Sequence, residues 1–288
     1  MRADADEAAR RFAAESVWEP AAVLMQGVAR FLAGDLDGGD TCLSDAASVE
    51  EADDAPGVVS VALCQRSLVA MARSEWSRAR DFAGRAHNVV RRAGRQDYYA
   101  TPLVCAVQAR TALHQGDVST ARQMLVTAQR LRPLLTYALP HFAVQARIEL
   151  ARAHLSLSDP VGAWTLMREV DELLRRRHDL GNLTSEAAAF RARLSEEHGP
   201  GVPGVSALTT AELRLLPMLA SHLSFPQIGA ELFLSPHTVK SEAMSIYRKL
   251  GVSSRAQAVT RSRELRLLPG DDRSFIPSRG LNSPGHEM

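Results

Sequence analysis

Ser235-Pro236-His237-Thr238-Val239-Lys240-Ser241-Glu242-Ala243-Met244-Ser245-Ile246-Tyr247-Arg248-Lys249-Leu250 reads as one helix with two unlike faces. Ser235 suits an N-cap, and Pro236 then takes the first helical position, where a missing N–H costs nothing. Val239, Ala243, Ile246 and Leu250 recur at spacings of four, three and four, so they form one apolar stripe. His237, Ser241, Met244 and Arg248 fall on the opposite side, with Lys240 on one shoulder. This division gives the helix one face for a core and another for polar contacts, as a helix that enters the major groove of DNA requires. Most surface helices are amphipathic, so the flanking sequence decides the reading.

Upstream, Leu208-Thr209-Thr210-Ala211-Glu212-Leu213 is a helix start. Thr209 and Glu212 have the spacing of a capping box, and Leu208 with Leu213 that of a hydrophobic staple. This helix runs to about Ser221, with Pro217 inside it removing one backbone bond. Ser224 and Gln227 repeat the cap pattern for a second helix over about 225–232, which turns Ile228 and Leu232 inward. Phe233-Leu234 then forms the turn of a helix-turn-helix. Gly251 closes the third helix, and Ser253 or Ser254 caps a fourth over about 254–266, carrying Ala256, Ala258, Val259 and Leu265.

The charge distribution agrees. The 288-residue chain is +1 overall. Residues 1–205 carry 24 basic and 26 acidic groups, residues 206–268 carry 8 and 4, and residues 269–288 carry 2 and 3. The basic excess therefore sits with the helix-turn-helix pattern, as contact with phosphates requires. The only two lysines, Lys240 and Lys249, both lie in its third helix. No apolar run is long enough to span a membrane, and the charged N-terminus has no signal-peptide core. Cys42, Cys64 and Cys105 stand far apart with no ligand spacing, so they read as small core residues of a cytoplasmic protein.

The N-terminal two thirds repeats itself. Gly34-Asp35-Leu36, Ser74-Glu75-Trp76, Gly116-Asp117-Val118 and Ser158-Asp159-Pro160 place their acids 40, 42 and 42 residues apart. Four residues after each acid stands a small residue: Gly39, Ala79, Ala121 and Ala163. Seven further on come Ala46, Ala86, Ala128 and Val170. A small residue followed by an acid fits a helix end, a tight turn and the next N-cap. The period predicts a tetratricopeptide-like α-solenoid. Its helix pairs are 20–33 with 37–51, 57–73 with 75–93, 98–115 with 118–131, and 138–156 with 160–177, and a helix at 183–197 caps the stack. A further helix is expected near 5–16, and Pro133 and Pro140 bracket an irregular link. A Gly/Pro-rich break at Gly199-Pro200-Gly201-Val202-Pro203-Gly204 divides the chain. The expected domains are a repeat domain at 1–198, a linker at 199–205, a helix-turn-helix domain at 206–268 and a disordered tail at 269–288.

No phosphate loop, nucleophile elbow or metalloprotease motif occurs. His87, His114, His141, His154 and His178 are isolated, and no carboxylate pair is set out for acid–base work. The expectation is a binding protein, not an enzyme, with no cofactor and no metal.

The C-terminal residues resemble a family. Leu208-Thr209 with Glu212-Leu213, the stretch Phe225-Pro226-Gln227-Ile228-Gly229-Ala230-Glu231-Leu232, the run Ser235–Lys240 and the run Ile246–Val259 are similar, in order and spacing, to the LuxR/FixJ-type DNA-binding domain. Behind helical repeats, such a domain also resembles the C-terminal part of MalT-like ATP-binding regulators. The resemblance implies base contacts from Lys240, Ser241 and Met244 and phosphate contacts around Thr238 and Arg248. With Ser235, His237 and Lys249 these form the candidate DNA-binding set. The chain departs from the family at Glu242, where His is frequent, at Thr210-Ala211, where Pro-Arg is usual, and at His222, where Gly is usual.

The reading is an all-α, sequence-specific transcription regulator that binds double-stranded DNA as a homodimer through its fourth helix. Its repeats would dock RNA polymerase or an effector protein. Two alternatives stay open: sigma-factor-like promoter recognition, and a protein-interaction scaffold whose helix-turn-helix serves dimerisation.

Overall fold

The computed structural model of the protein describes residues 19–48, 55–94, 98–198, 208–265 and 267–268. The helix expected at 5–16, the linker at 199–205 and the tail at 269–288 lie outside these residues.

The described residues are all-α, with no strand among them. Four antiparallel helix pairs come first: α1 (Glu19–Leu32) with α2 (Leu36–Ala47), α3 (Pro56–Ala72) with α4 (Trp76–Arg92), α5 (Thr101–His114) with α6 (Val118–Leu131), and α7 (Pro140–Ser156) with α8 (Pro160–Arg176). A short 3-10 turn, Arg132–Leu134, contains Pro133 and opens the link to Pro140, and α9 (Leu183–His198) packs on the last pair. The expected second helix of the first pair is shorter than 37–51: it ends at Ala47, where the Ser48 amide and hydroxyl turn back onto the Asp45 carbonyl.

The repeated turn has one geometry. Gly34, Ser74, Gly116 and Ser158 all take positive φ, between 59° and 89°. A serine there is tolerated at some cost, whereas glycine adopts the conformation freely. The acid that follows caps the next helix. Asp35, Asp117 and Asp159 each accept a backbone N–H three residues on, at 2.8–2.9 Å. Glu75 makes no such cap, because its longer side chain reaches Arg78 instead. The small residues Gly39, Ala79, Ala121 and Ala163 are all buried, which lets each second helix lie close on the first. Helices α3, α5 and α7 form the inner layer and are buried on nearly every side, Cys64 and Cys105 among their core residues.

A second core begins at Leu208 and runs to Leu268. It holds α10 (Thr210–Leu219), α11 (Phe225–Leu232), α12 (Pro236–Leu250) and α13 (Arg255–Glu264). Helix α10 stops at Leu219 and α13 at Glu264, each two residues short of expectation. The Arg255 guanidinium explains the first stop. It donates to the carbonyls of Leu219, Leu223, Met218 and Ser221 at 2.7–3.0 Å, so a cation from α13 covers the open C-terminal end of α10.

This second unit rests on the end of the repeat body. Glu169 of α8 accepts the Thr210 N–H at 2.8 Å and the Thr210 hydroxyl at 2.7 Å, placing a carboxylate at the start of α10, where the helix dipole favours it. Arg147 of α7 reaches both Glu169, at 2.8 Å, and the Thr210 oxygen, at 3.1 Å. Arg132 is fully buried, lies 3.5 Å from Glu169 and donates to the Leu208 carbonyl. Burial would raise the Glu169 carboxyl, but Arg132, Arg147 and Thr210 together hold it below its ordinary value.

Candidate nucleic-acid interface

The site is built from three local decisions. The Thr209–Glu212 and Ser224–Gln227 capping boxes start α10 and α11. The turn follows α11: Phe233 sits in the left-handed region at φ 55°, and the Leu234 amide closes back on the Gly229 carbonyl at 2.8 Å. Gly229 is required by that return, because a Cβ there would stand 2.6 Å from the Leu234 carbonyl oxygen. Ser235 then caps α12, its hydroxyl accepting the Thr238 N–H at 3.0 Å and bonding the Thr238 hydroxyl at 2.8 Å. Gly251, at φ 68°, ends the helix.

Helix α12 is thereby presented with one side in and one side out. Val239, Ala243 and Ile246 are fully buried, and Tyr247 is nearly so. His237, Lys240, Ser241, Met244 and Arg248 are exposed and line one shallow concavity together with Ser245. Met244 is 56% exposed, more than any other methionine among the described residues. None of the polar groups of His237, Lys240, Ser241 or Arg248 makes a side-chain hydrogen bond to another described residue. The face therefore presents two permanent cations, hydroxyl and imidazole hydrogen-bonding groups and one apolar contact, with no side-chain partner for them among the described residues. That set suits phosphate oxygens, base edges and a thymine methyl.

Lys249 is not part of this face. Its ammonium bonds Glu212 at 2.7 Å, beneath α10. Glu212 also accepts the Thr209 N–H at 2.7 Å. Burial would raise its carboxyl, but these bonds, with one from Ser245, hold it below its ordinary value. Glu242 shares this shoulder of α12. It is half-buried, and burial together with the neighbouring Glu212 raises its carboxyl. Leu232, expected inside, is only partly buried, while Phe233 in the turn is 95% exposed.

Three features escaped the sequence reading: the Arg255 clamp, the Lys249–Glu212 pair and the seat of Thr210 on Glu169. The second was within reach of helical periodicity. At about 100° per residue, Lys249 and Glu242 fall on the same shoulder of the buried stripe, away from Lys240.

This geometry defines a helix-turn-helix domain, with α11 as the supporting helix and α12 as the helix whose outer face is free. Residues 206–262 match the family described as bacterial regulatory proteins, luxR family, and the C-terminal domain is a domain of that family. Over 66 residues, 23% of this chain, the protein is 42% identical to a probable transcriptional regulatory protein NarL of Mycobacterium tuberculosis, 31% of which is covered. Over 202 residues, 69% of the chain, it is 29% identical to a putative HTH-type transcriptional regulator of Mycobacterium bovis, 21% of which is covered. That match is long enough to reach well into the repeat body. Over 142 residues, 48% of the chain, it is 32% identical to the transcriptional regulatory protein YdfI of Bacillus subtilis, 63% of which is covered. The chain spans less than a third of the first two relatives. Among the described residues no helix is long and apolar enough to cross a membrane.

Proposed function

We propose that the protein is a cytoplasmic transcription regulator that reads duplex DNA through the outer face of α12. The observation that carries this is the exposed row His237, Lys240, Ser241, Met244 and Arg248, without side-chain partners among the described residues, on a helix whose other side is core. Contacts from Thr238 and Arg248 to phosphates would set register, and Lys240, Ser241 and Met244 would meet base edges. The mechanism is binding, without catalysis. Two copies would occupy two half-sites, joined through α13, where Ala256, Gln257 and Thr260 are exposed beside Val252. The repeat body would dock an effector or the polymerase.

Selection of bound sequences from a random duplex pool, using the intact chain, tests this. A recovered motif with two-fold symmetry and steeply salt-dependent binding supports the proposal. Recovery of sequences indistinguishable from the input pool refutes sequence reading. A motif without symmetry, bound by one chain, refutes the dimer.

A further inference from the structure

The repeat body closes on itself. The Asn182 N–H, just before α9, donates to the Leu32 carbonyl at the end of α1, at 2.8 Å. Inside this closure lies a cavity of about 250 Å³. At ~30 Å³ per molecule it has room for about eight waters. It falls just under the range of about 300–1,000 Å³ usual for small-molecule sites, so the occupant it fits is small.

One wall is apolar, formed by Phe31, Leu68, Met71 and Leu183. Beside Gln145 and Asn182, the charged lining is a strip of alternating sign. Arg110 Nη1 donates to Glu149 at 2.8 Å, Arg152 Nη1 donates to the other Glu149 oxygen at 2.8 Å, and Arg152 Nη2 lies 2.6 Å from Glu186 Oε1. Glu149 is buried, whereas the Glu186 side chain is 34% exposed, so the strip runs from a closed middle to an open end. Its two cations and two anions cancel. A ligand of net charge would leave that charge unbalanced against the neutral strip.

The ends of the strip retain bonding capacity. Among the described residues, Arg110 Nε and Nη2 meet no acceptor, and these two N–H groups form the side-on fork that grips a carboxylate. Glu186 Oε2 likewise meets no donor. Burial, with the neighbouring Glu149, holds the Glu186 carboxyl above its ordinary value although Arg152 and Arg110 pull it down. Arg110 and Glu186 line the same cavity.

We propose that this cavity binds a small zwitterion with an apolar body, its carboxylate on the free edge of Arg110 and its ammonium on Glu186 Oε2. The apolar body lies against Phe31, Leu68 and Met71. An apolar α-amino acid and an apolar dipeptide share this chemistry. The site stands apart from the DNA reading, and its test contains no DNA.

The test is calorimetric titration of the intact chain with L-leucine, leucyl-alanine, isocaproate and isoamylamine. The expected result is saturable one-to-one binding of leucine or of the dipeptide, the tighter of the two naming the source. The two single-charge analogues should bind at least tenfold more weakly. Arg110→Gln should weaken the zwitterion at least tenfold and leave isoamylamine unchanged, and Glu186→Gln should do the converse for isocaproate. Ala72 is exposed where it lines the cavity, so Ala72→Trp should abolish binding while the protein still melts like the parent. The proposal is overturned if neither zwitterion binds the parent, or if binding survives Ala72→Trp. It is also overturned if Arg110→Gln weakens all probes equally.

Discussion

Helix α7 of the repeat body and helix α12 of the C-terminal domain are close in length, 17 and 15 residues. Thirteen residues of α7 are buried, but only four of α12 are. Most polar groups of α7 meet their neighbours: Gln145 bonds Gln65, Arg147 bonds Glu169, and Glu149 holds two arginines, while the buried His141 Nε2 meets no partner among the described residues. Those of the outer face of α12 meet no side-chain partner among the described residues. A buried helix must satisfy its polar groups internally, because leaving one unmet costs about 1–3 kcal/mol. A helix that exposes a full row of unmet donors pays no such penalty in water, and keeps that row for an outside partner. The contrast marks the surface proposed to read DNA without any motif.

The seam between the two regions gives the largest expected effect. Glu169→Ala removes the anion from a buried cluster and leaves Arg132 and Arg147 facing each other. Breaking such a pair costs about 3–5 kcal/mol. Calorimetry should then show the C-terminal domain melting separately from the repeats. A single unchanged transition would mean that the Glu169 cluster is not what couples them. The same carboxyl gives the seam a pH dependence. Its docked value lies below its ordinary value of 4.5. Its contribution is therefore complete well above pH 4.5 and is lost as pH falls through the lower docked value. The parent should begin to show separate melting in that acid window, and Glu169→Gln should show no such onset from this group.

Ile246→Ala probes the buried side of α12. It removes a fully buried side chain and should destabilise the C-terminal domain by about 2–5 kcal/mol. Its DNA defect should follow the unfolded fraction and vanish under conditions that restore folding. Arg255→Ala comes next. It strips a cation from four carbonyls at the end of α10 and should cost about 1.5–3 kcal/mol in the same melting experiment. An equal loss with Arg255→Lys would show that fork geometry matters, since one ammonium cannot span four acceptors.

How much of this was readable beforehand follows from the range of the interactions. The turns at Gly34, Ser74, Gly116 and Ser158 were legible because their physics is local: a positive φ and an acid three residues before the N–H it caps. The stripe Val239, Ala243, Ile246 was legible because helical periodicity alone sorts it. The seam was not, since Arg132 meets Leu208 and Glu169 meets Thr210 only after two separately folded units come together. Thr210 stands where a proline is usual in the family, and a proline there would have no N–H to give Glu169. That departure was visible, but its partner was not. Lys249 misled because its charge and its helix suggested DNA, whereas its angular position pointed toward Glu212.

The smallest effect is the most direct test of the central claim, that the outer face of α12 reads DNA and the inner face only folds. Lys240 is exposed and carries no part of the core. The measurement is a pair of binding titrations of Lys240→Ala, on the selected duplex and on a scrambled one, beside a melting curve. The account predicts unchanged melting and about 1–3 kcal/mol of lost discrimination between the duplexes. Equal weakening on both, with the salt slope reduced by about one, would instead assign Lys240 to phosphate. Unchanged binding to both duplexes, or unfolding of the domain by this substitution, would contradict the division of α12 on which the account rests.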